Sequence, residues 1–554
     1  MQTTEGRLVV DAIFTNGPIY TADAARSWAT SLAISGDRIV AVGHDEVLEL
    51  RTAATEVVDL RGRLLTPGFV DSHVHPAWGG LDMLRCDLAG TDPDRDAYLA
   101  TIAAYVASHP DEPWLLGGGW AMAAFPGGTP LASDLDRVVP DRPAFITNRD
   151  GHGAWANAVA LRMAGIDAST PDPADGRIER LADGSPSGTL HEGAMTLVNR
   201  LIPVESPERM REGLLVAQAH LHSLGVTGWQ DAILGDYGDA PNPGPAYLAL
   251  AEAGELTARV RGALWWERGR GVEQIPELVE RRAAWQAGTF AATSVKIMQD
   301  GVAENFTAGM LEPYCDGHGH ATANDGLSFH DPAVLAEALP ELERLGFQAH
   351  FHAIGDRAVR ECLDAVAAAR AANGWIDGRH HISHIQVVHP DDRQRFRELG
   401  VAANMQMLWA VYEDQMLDLT IPFLGGEAAE RVSWQYPFAS LAAAGATLAA
   451  GSDWSVSTPD PWAAIHVGVT RTEPGTRGHR PFLPEQALTL PTALSAYTAG
   501  SAWVNRWECG TLAAGRLADL AIASRDPFGG DAEEIGDTVN DETWVGGRRV
   551  HVRE

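Results

Sequence analysis

Strand-like segments and helical stretches alternate through the middle of this 554-residue chain. The strand-like segments are VTGWQDA (226–232), ATSVKIMQDG (292–301), GFQAHFHAIGD (346–356), HHISHIQVV (380–388), GVAANMQM (400–407) and GATLAAGSDW (445–454). Between several of them lie runs rich in Ala, Leu, Glu and Arg, such as DPAVLAEALPELERLG and DRAVRECLDAVAAARAANG. Repeating strand–helix units require a parallel sheet, open or closed into a barrel. The chain is too long for one simple core, so a large domain with insertions, or two to three domains, is expected. The first 66 residues read instead as short strands with turn signals at Asn16-Gly17 and Gly36-Asp37, and the last 50 residues do the same, with a turn at Gly546-Gly547. Two strand-rich ends flanking a long middle can pair into one small β domain, a β-sandwich of residues 1–66 and 505–554 around a body of 67–504.

Polar residues stand where the central strands end. In a strand–helix barrel those ends carry the chemistry, and here they are His73 and His75, Lys296, His350 and His352, His384 and Asp453. A strand has period two, so His73 and His75 point to one face and can converge on one ion. A second His-x-His, a further histidine and an aspartate at successive strand ends suit a zinc-type divalent metal.

Composition removes other classes. A net charge of −32 repels phosphate backbones and anionic lipids, so neither nucleic acid nor membrane is an expected partner; a small molecule is. No apolar run reaches 18 residues, and the N-terminus lacks a basic start followed by an apolar core, so no spanning helix and no secretory signal are expected. Cys86, Cys315, Cys362 and Cys509 lie far apart, which argues against a disulfide framework or a thiolate zinc site and favours a reducing, cytoplasmic compartment. A homodimer is left open, since exposed barrel helices often pair.

The motifs LTPGFVDSHVHP, DGHGAWANAVAL, SVKIMQDG, FHAIGDRAV, HISHIQVVHP and GSDWSV, with the C-terminal GTLAAGRLADL, resemble the metal-dependent amidohydrolase superfamily. The resemblance is closest to its N-substituted formamide deformylase-like (amidohydrolase 3) branch. It implies a TIM-like (β/α)8 barrel. It further implies that His73 and His75 hold one metal and that Lys296, on the fourth strand, is a carbamylated lysine bridging two. His352 and His384 would hold the second ion, and Asp453, on the eighth strand, would bind metal and shuttle protons. Catalysis would then rest on Asp453 and His384, with one or two ions, zinc foremost. His350 reads as a supporting or core residue. Two departures stand out. QDGVAENFTAGM follows the lysine strand where the branch has Asp-Gly-Ser, and Ser383 precedes His384 where Glu is usual.

A divalent ion lowers the pKa of bound water from about 15.7 toward about 7, and an aspartate can pass that proton to a leaving amine. No serine or cysteine nucleophile is needed. The expected activity is hydrolysis of a non-peptide C–N bond in a small amide, with N-substituted formamides and acylated amines as candidates. An ester, lactone or cyclic-amide hydrolase on the same site, and a metal-binding regulator without turnover, remain open. His75 and Lys296 are 221 residues apart, whereas three strand–helix units need roughly 100. An inserted cap at about 78–215 fills the difference. Trp78, Trp120, His152, Trp155 and Asn157 within it, and Trp409 and Trp454 past later strand ends, are expected to line a partly apolar substrate pocket. His191 and Glu192 read as structural.

Overall fold

The computed structural model describes residues 3–4, 7–235 and 242–554. At its centre run eight strands: β1 (Phe69–Val74), β2 (Val226–Leu234), β3 (Arg259–Trp265), β4 (Phe290–Met298), β5 (Gln348–Ala353), β6 (His381–His384), β7 (Ala402–Met405) and β8 (Thr447–Ala450). Each pairs in parallel with the next. Between β8 and β1 the ring is joined by individual bonds. The Ser72 hydroxyl donates to the Ala450 carbonyl at 2.7 Å, and the Asp453 and His75 amides donate to the carbonyls of His73 and Trp454 at 2.8 and 2.7 Å. The result is a nearly closed TIM-like barrel.

Strands covered on both faces lose the simple apolar–polar alternation, and every residue of β1, β5 and β6 is buried. Several polar residues of the barrel strands bond to one another across the lumen. Gln230 Nε2 donates to Ser294 Oγ at 2.8 Å and to Gln348 Oε1 at 3.1 Å, and Asn404 Nδ2 donates to the Ser72 carbonyl at 2.9 Å. Left unpaired, such groups would each cost about 1–3 kcal/mol. Outside the barrel, helices Pro332–Arg344 and Asp356–Asn373 flank β5 in the chain and bury Leu335, Leu339 and Leu342, and Val359, Leu363 and Val366, at helical spacing. Strand β3 was not among the expected segments; its arginines belong to contacts outside the barrel. Arg259 forms a two-pronged pair with Asp519, and Arg261 lies over Trp507.

Both chain ends contribute to one eight-stranded sheet. Leu64–Pro67 pairs antiparallel with Leu520–Ala523 and, through Gly68, runs straight on into β1. A Cβ at residue 68 would lie 2.2 Å from Thr227, so this junction admits only glycine. Between β1 and β2 the chain builds a separate six-stranded sheet, from Cys86–Asp87 to Pro186–Glu192, with apolar cores of its own. Among the described residues no helix is long and apolar enough to cross a membrane.

Candidate metal centre

Strand β1 places Asp71 and His73 on one face by its two-residue repeat, with His75 one step beyond its end. Asp453 follows β8 and turns back over them. His73 Nε2 and His75 Nε2 lie 3.2 and 3.0 Å from the same oxygen, Asp453 Oδ1, and His384 Nδ1 lies 3.8 Å from Oδ2. Lys296 Nζ, on β4, is 3.5 Å from His73 Nε2. The His352 and His384 ring centroids are 4.4 Å apart. Asp453 and His384 are both held at positive φ, +56° and +76°, a strained backbone for such residues that persists only where neighbours enforce it. The His73 carbonyl fixes the Asp453 amide, and Gln406 Oε1 accepts from the His384 amide at 2.6 Å. Asp71, buried, accepts from the amides of both His73 and Ser452, tying β1 to the residues after β8.

Burial dominates the electrostatics. It pulls the His73 imidazole down to about 3, assisted by Lys296, and keeps His352 and His384 well below the usual histidine range. Burial alone would raise the Asp453 carboxyl, but His73, His75 and His384 hold it well below the carboxylate range. The neutral His73 ring thus faces an anionic oxygen, an arrangement of lone pairs that a cation relieves. Buried His75 Nδ1 and both ring nitrogens of His384 have no hydrogen-bond partner. One ligand atom from each of His73, His384 and Asp453 falls within 4.8 Å of the others. The donor set fits a divalent ion of the zinc type.

Supporting groups fix these side chains. His73 Nδ1 lies 2.8 Å from Ser383 Oγ and 2.6 Å from His350 Nε2, which gives the unusual Ser383 a task. Asp300 does not salt-bridge Lys296. It stands 3.2 Å from His352 Nδ1 and accepts from the amides of Gly309, Ile354 and Gly355. Lys296 is therefore buried without a carboxylate bonded to it, and burial draws its amine down to about 7 against the pull of Asp453.

The cluster forms the floor of a cavity of about 600 Å³, walled by Trp78, Ile233, Met298, Val411 and Tyr436. Trp78 stacks on His75 at 4.8 Å and Trp409 on His384 at 5.5 Å. His152 reaches the cavity from the inserted sheet. Four other expected lining residues do not. Trp120 is fully buried in the insertion's own core, its indole donating to the Ile146 carbonyl at 2.9 Å. Trp155 shares that core. Asn157 spends its amide within the insertion: Oδ1 caps the helix Ala158–Ala164, and Nδ2 donates to the carbonyls of Val139 and Arg142. Trp454 packs over Gly79 and beside His220 rather than facing the cavity. Glu192, read from sequence as structural, lies 2.8 Å from His152 Nδ1. Trp120→Ala is accordingly expected to cost about 3–5 kcal/mol of stability in a denaturant titration while KM stays at the wild-type value. A raised KM with unchanged stability would return Trp120 to the pocket.

Residues 56–551 match the amidohydrolase family. The chain belongs to that family. Protein LONG AFTER FAR-RED 3 of Arabidopsis thaliana is 31% identical over 99% of this chain and 93% of its own length. N-substituted formamide deformylase of Arthrobacter pascens is 27% identical over 97% of each chain. An uncharacterized metal-dependent hydrolase from Pyrococcus horikoshii OT3 superposes with a TM-score of 0.71 at 25% identity, covering 94% of this chain and 99% of that one. This amidohydrolase is an enzyme, a hydrolase of carbon–nitrogen bonds, and its family and histidine–aspartate cluster together support a divalent metal.

Proposed function

We propose that this amidohydrolase cleaves the C–N bond of a small, partly apolar amide, an N-substituted formamide or acylated amine, with Asp453 as the proton shuttle. The observation that carries the reading is the convergence of one ionised carboxylate with His73, His75 and His384 on the floor of a partly apolar cavity. His73, His75 and Asp453 would hold one ion; His352 and His384 would hold a second, with a carbamylated Lys296 between the two. Bound zinc supplies Lewis acidity, making water acidic enough to attack near neutral pH and polarising a carbonyl. Asp453 accepts the proton of the attacking water and returns it to the departing nitrogen, so that an amine rather than its anion leaves. The stacked Trp78 and Trp409 hold the planes of His75 and His384 and give the substrate's apolar part a dry wall.

Metal analysis combined with a panel of formamides, acylated amines, esters and lactones tests the reading. Zinc or another divalent ion should be present, and a strong chelator should abolish turnover, with activity returning on metal addition. Turnover of esters or lactones but no amide would move the bond, and full activity in metal-free protein would overturn the metal role.

A further inference from the structure

Outside the metal cluster, the insertion sends one buried ion pair to the cavity. Glu192 closes the strand Pro186–Glu192, and its carboxylate Oε1 lies 2.8 Å from His152 Nδ1. The same oxygen accepts from Thr307 Oγ1 at 3.1 Å and from Asn305 Nδ2 at 3.3 Å, both on the segment that follows β4. The Glu192 amide donates to the His152 carbonyl at 3.1 Å, so the two residues grip each other twice. Glu192 keeps φ at +51°, where a non-glycine residue is strained. Residue 301 is glycine where a Cβ would stand 2.7 Å from that oxygen. A strained backbone, a cleared space and three donors around one carboxylate describe a group built to hold something still. What it holds is His152: Nδ1 is committed to Glu192, while the ring lines the cavity with its centroid 5.8 Å from that of His352.

We propose that His152 is a catalytic residue whose Nε2 hydrogen-bonds to the carbonyl oxygen of the substrate, and that Glu192 is the positioning residue that aims it. The assignment rests on the hydrolase reading above and deepens it. The barrel supplies the metal ligands, and the insertion supplies the contact to the acyl oxygen. Glu192 stands 2.8 Å from Nδ1 as the counter-ion of a ring that carries a proton on each nitrogen, which leaves Nε2–H to the cavity.

The test uses the metal-loaded enzyme, His152→Asn, Glu192→Gln and the double variant, with metal content and melting temperature followed throughout. Acetohydroxamate, an N-hydroxy amide that presents a carbonyl oxygen and also ligates zinc, is the binding probe, with its own hydrolysis checked, and turnover of an acylated amine is measured in parallel. Loss of one preorganised donor to a developing oxyanion costs about 10²–10³-fold in kcat. His152→Asn is expected to fall by that factor and to bind acetohydroxamate at least tenfold more weakly, with metal content unchanged. Glu192→Gln should lose a smaller part of both, and the double variant should be no worse than His152→Asn alone, because Glu192 acts through His152. Additive losses in the double variant, wild-type affinity in His152→Asn, or no binding of the probe by the wild-type enzyme would overturn the assignment. Absence of turnover in a wild-type protein that shows the expected binding pattern would instead defeat the hydrolase reading alone. Should Glu192→Gln fail to fold, His152→Asn at the cavity surface carries the test by itself.

Discussion

Asp453→Asn is expected to reduce kcat by at least about a thousandfold, toward the upper end of the 10²–10⁴ that a positioned acid–base group contributes. The melting temperature should change little. Asparagine keeps the shape and leaves the Asp453 amide bond to His73 intact, so the loop after β8 retains its anchor. What disappears is the charge. In the wild-type protein one anionic oxygen faces His73 Nε2 and His75 Nε2 at 3.2 and 3.0 Å. An amide can neither neutralise a cation there nor take a proton from water and give it back. The variant should therefore hold metal more weakly and remain slow even when saturated with zinc. Elemental analysis separates the two effects. If zinc-saturated Asp453→Asn turned over at the wild-type rate, the shuttle would have to be another group.

The second large effect is at Lys296. Its amine is buried, 3.5 Å from His73 Nε2 and drawn down to about 7, and Asp300, the nearest candidate partner by sequence, is engaged by His352 and three backbone amides. An uncharged amine can attack carbon dioxide: the new N–C bond forms, the nitrogen loses one proton to solvent, and an anionic two-oxygen carbamate results. Lys296→Ala should then drop from two ions per chain to one and lose about a hundredfold or more in kcat, within the range for a lost ligand of the catalytic machinery. A short carboxylic acid that fits the vacated space should restore part of both. The pH dependence has a definite sign. The amine is protonated and inert below about 7 and free above it, so metal reconstitution of apo protein should be accelerated by bicarbonate above that pH and indifferent to it well below. Two ions bound to an unmodified amine in fully active protein would defeat the carbamate.

Much of this architecture is legible in the sequence because a parallel barrel imposes a rhythm. VTGWQDA, SVKIMQ and AHFHA each present a short apolar run and then polar residues at the end where loops meet ligands. Strand β3 escapes that rhythm because RVRGALW carries two arginines whose partners, Asp519 and Trp507, lie some 250 residues later in the chain. Motifs also name positions without giving side-chain direction. DGHGAWAN holds His152, which faces the cavity, and Trp155 and Asn157, which face the insertion's interior. Nothing local distinguishes them, since the difference lies in which side of the inserted sheet packs against helix Arg95–Ser108 and its neighbours. Glu192 is hidden for a related reason. Its partner His152 is 40 residues away and its other donors, Asn305 and Thr307, more than a hundred, so only the fold brings them together.

The continuity of Leu64–Pro67 with β1 has a consequence for the order in which the protein is made. Thr66 pairs with Ala521, so of the two neighbours of the strand that leads to His73, one, reached at Ile19, is present from the start and the other, Leu520–Ala523, is made some 450 residues later. A ribosome delivers residues at about 5–20 per second and domains tend to fold as they emerge. Here the segment carrying the first two imidazoles emerges early and waits roughly half a minute for its second sheet partner. During that interval the nascent chain exposes His73 and His75 without Asp453, a pair open to whatever cation the surroundings offer. Closure of the ring, by Ser72 on Ala450 and Asp453 on His73, comes late, so the full cluster of His73, His75 and Asp453 exists only in the finished polypeptide.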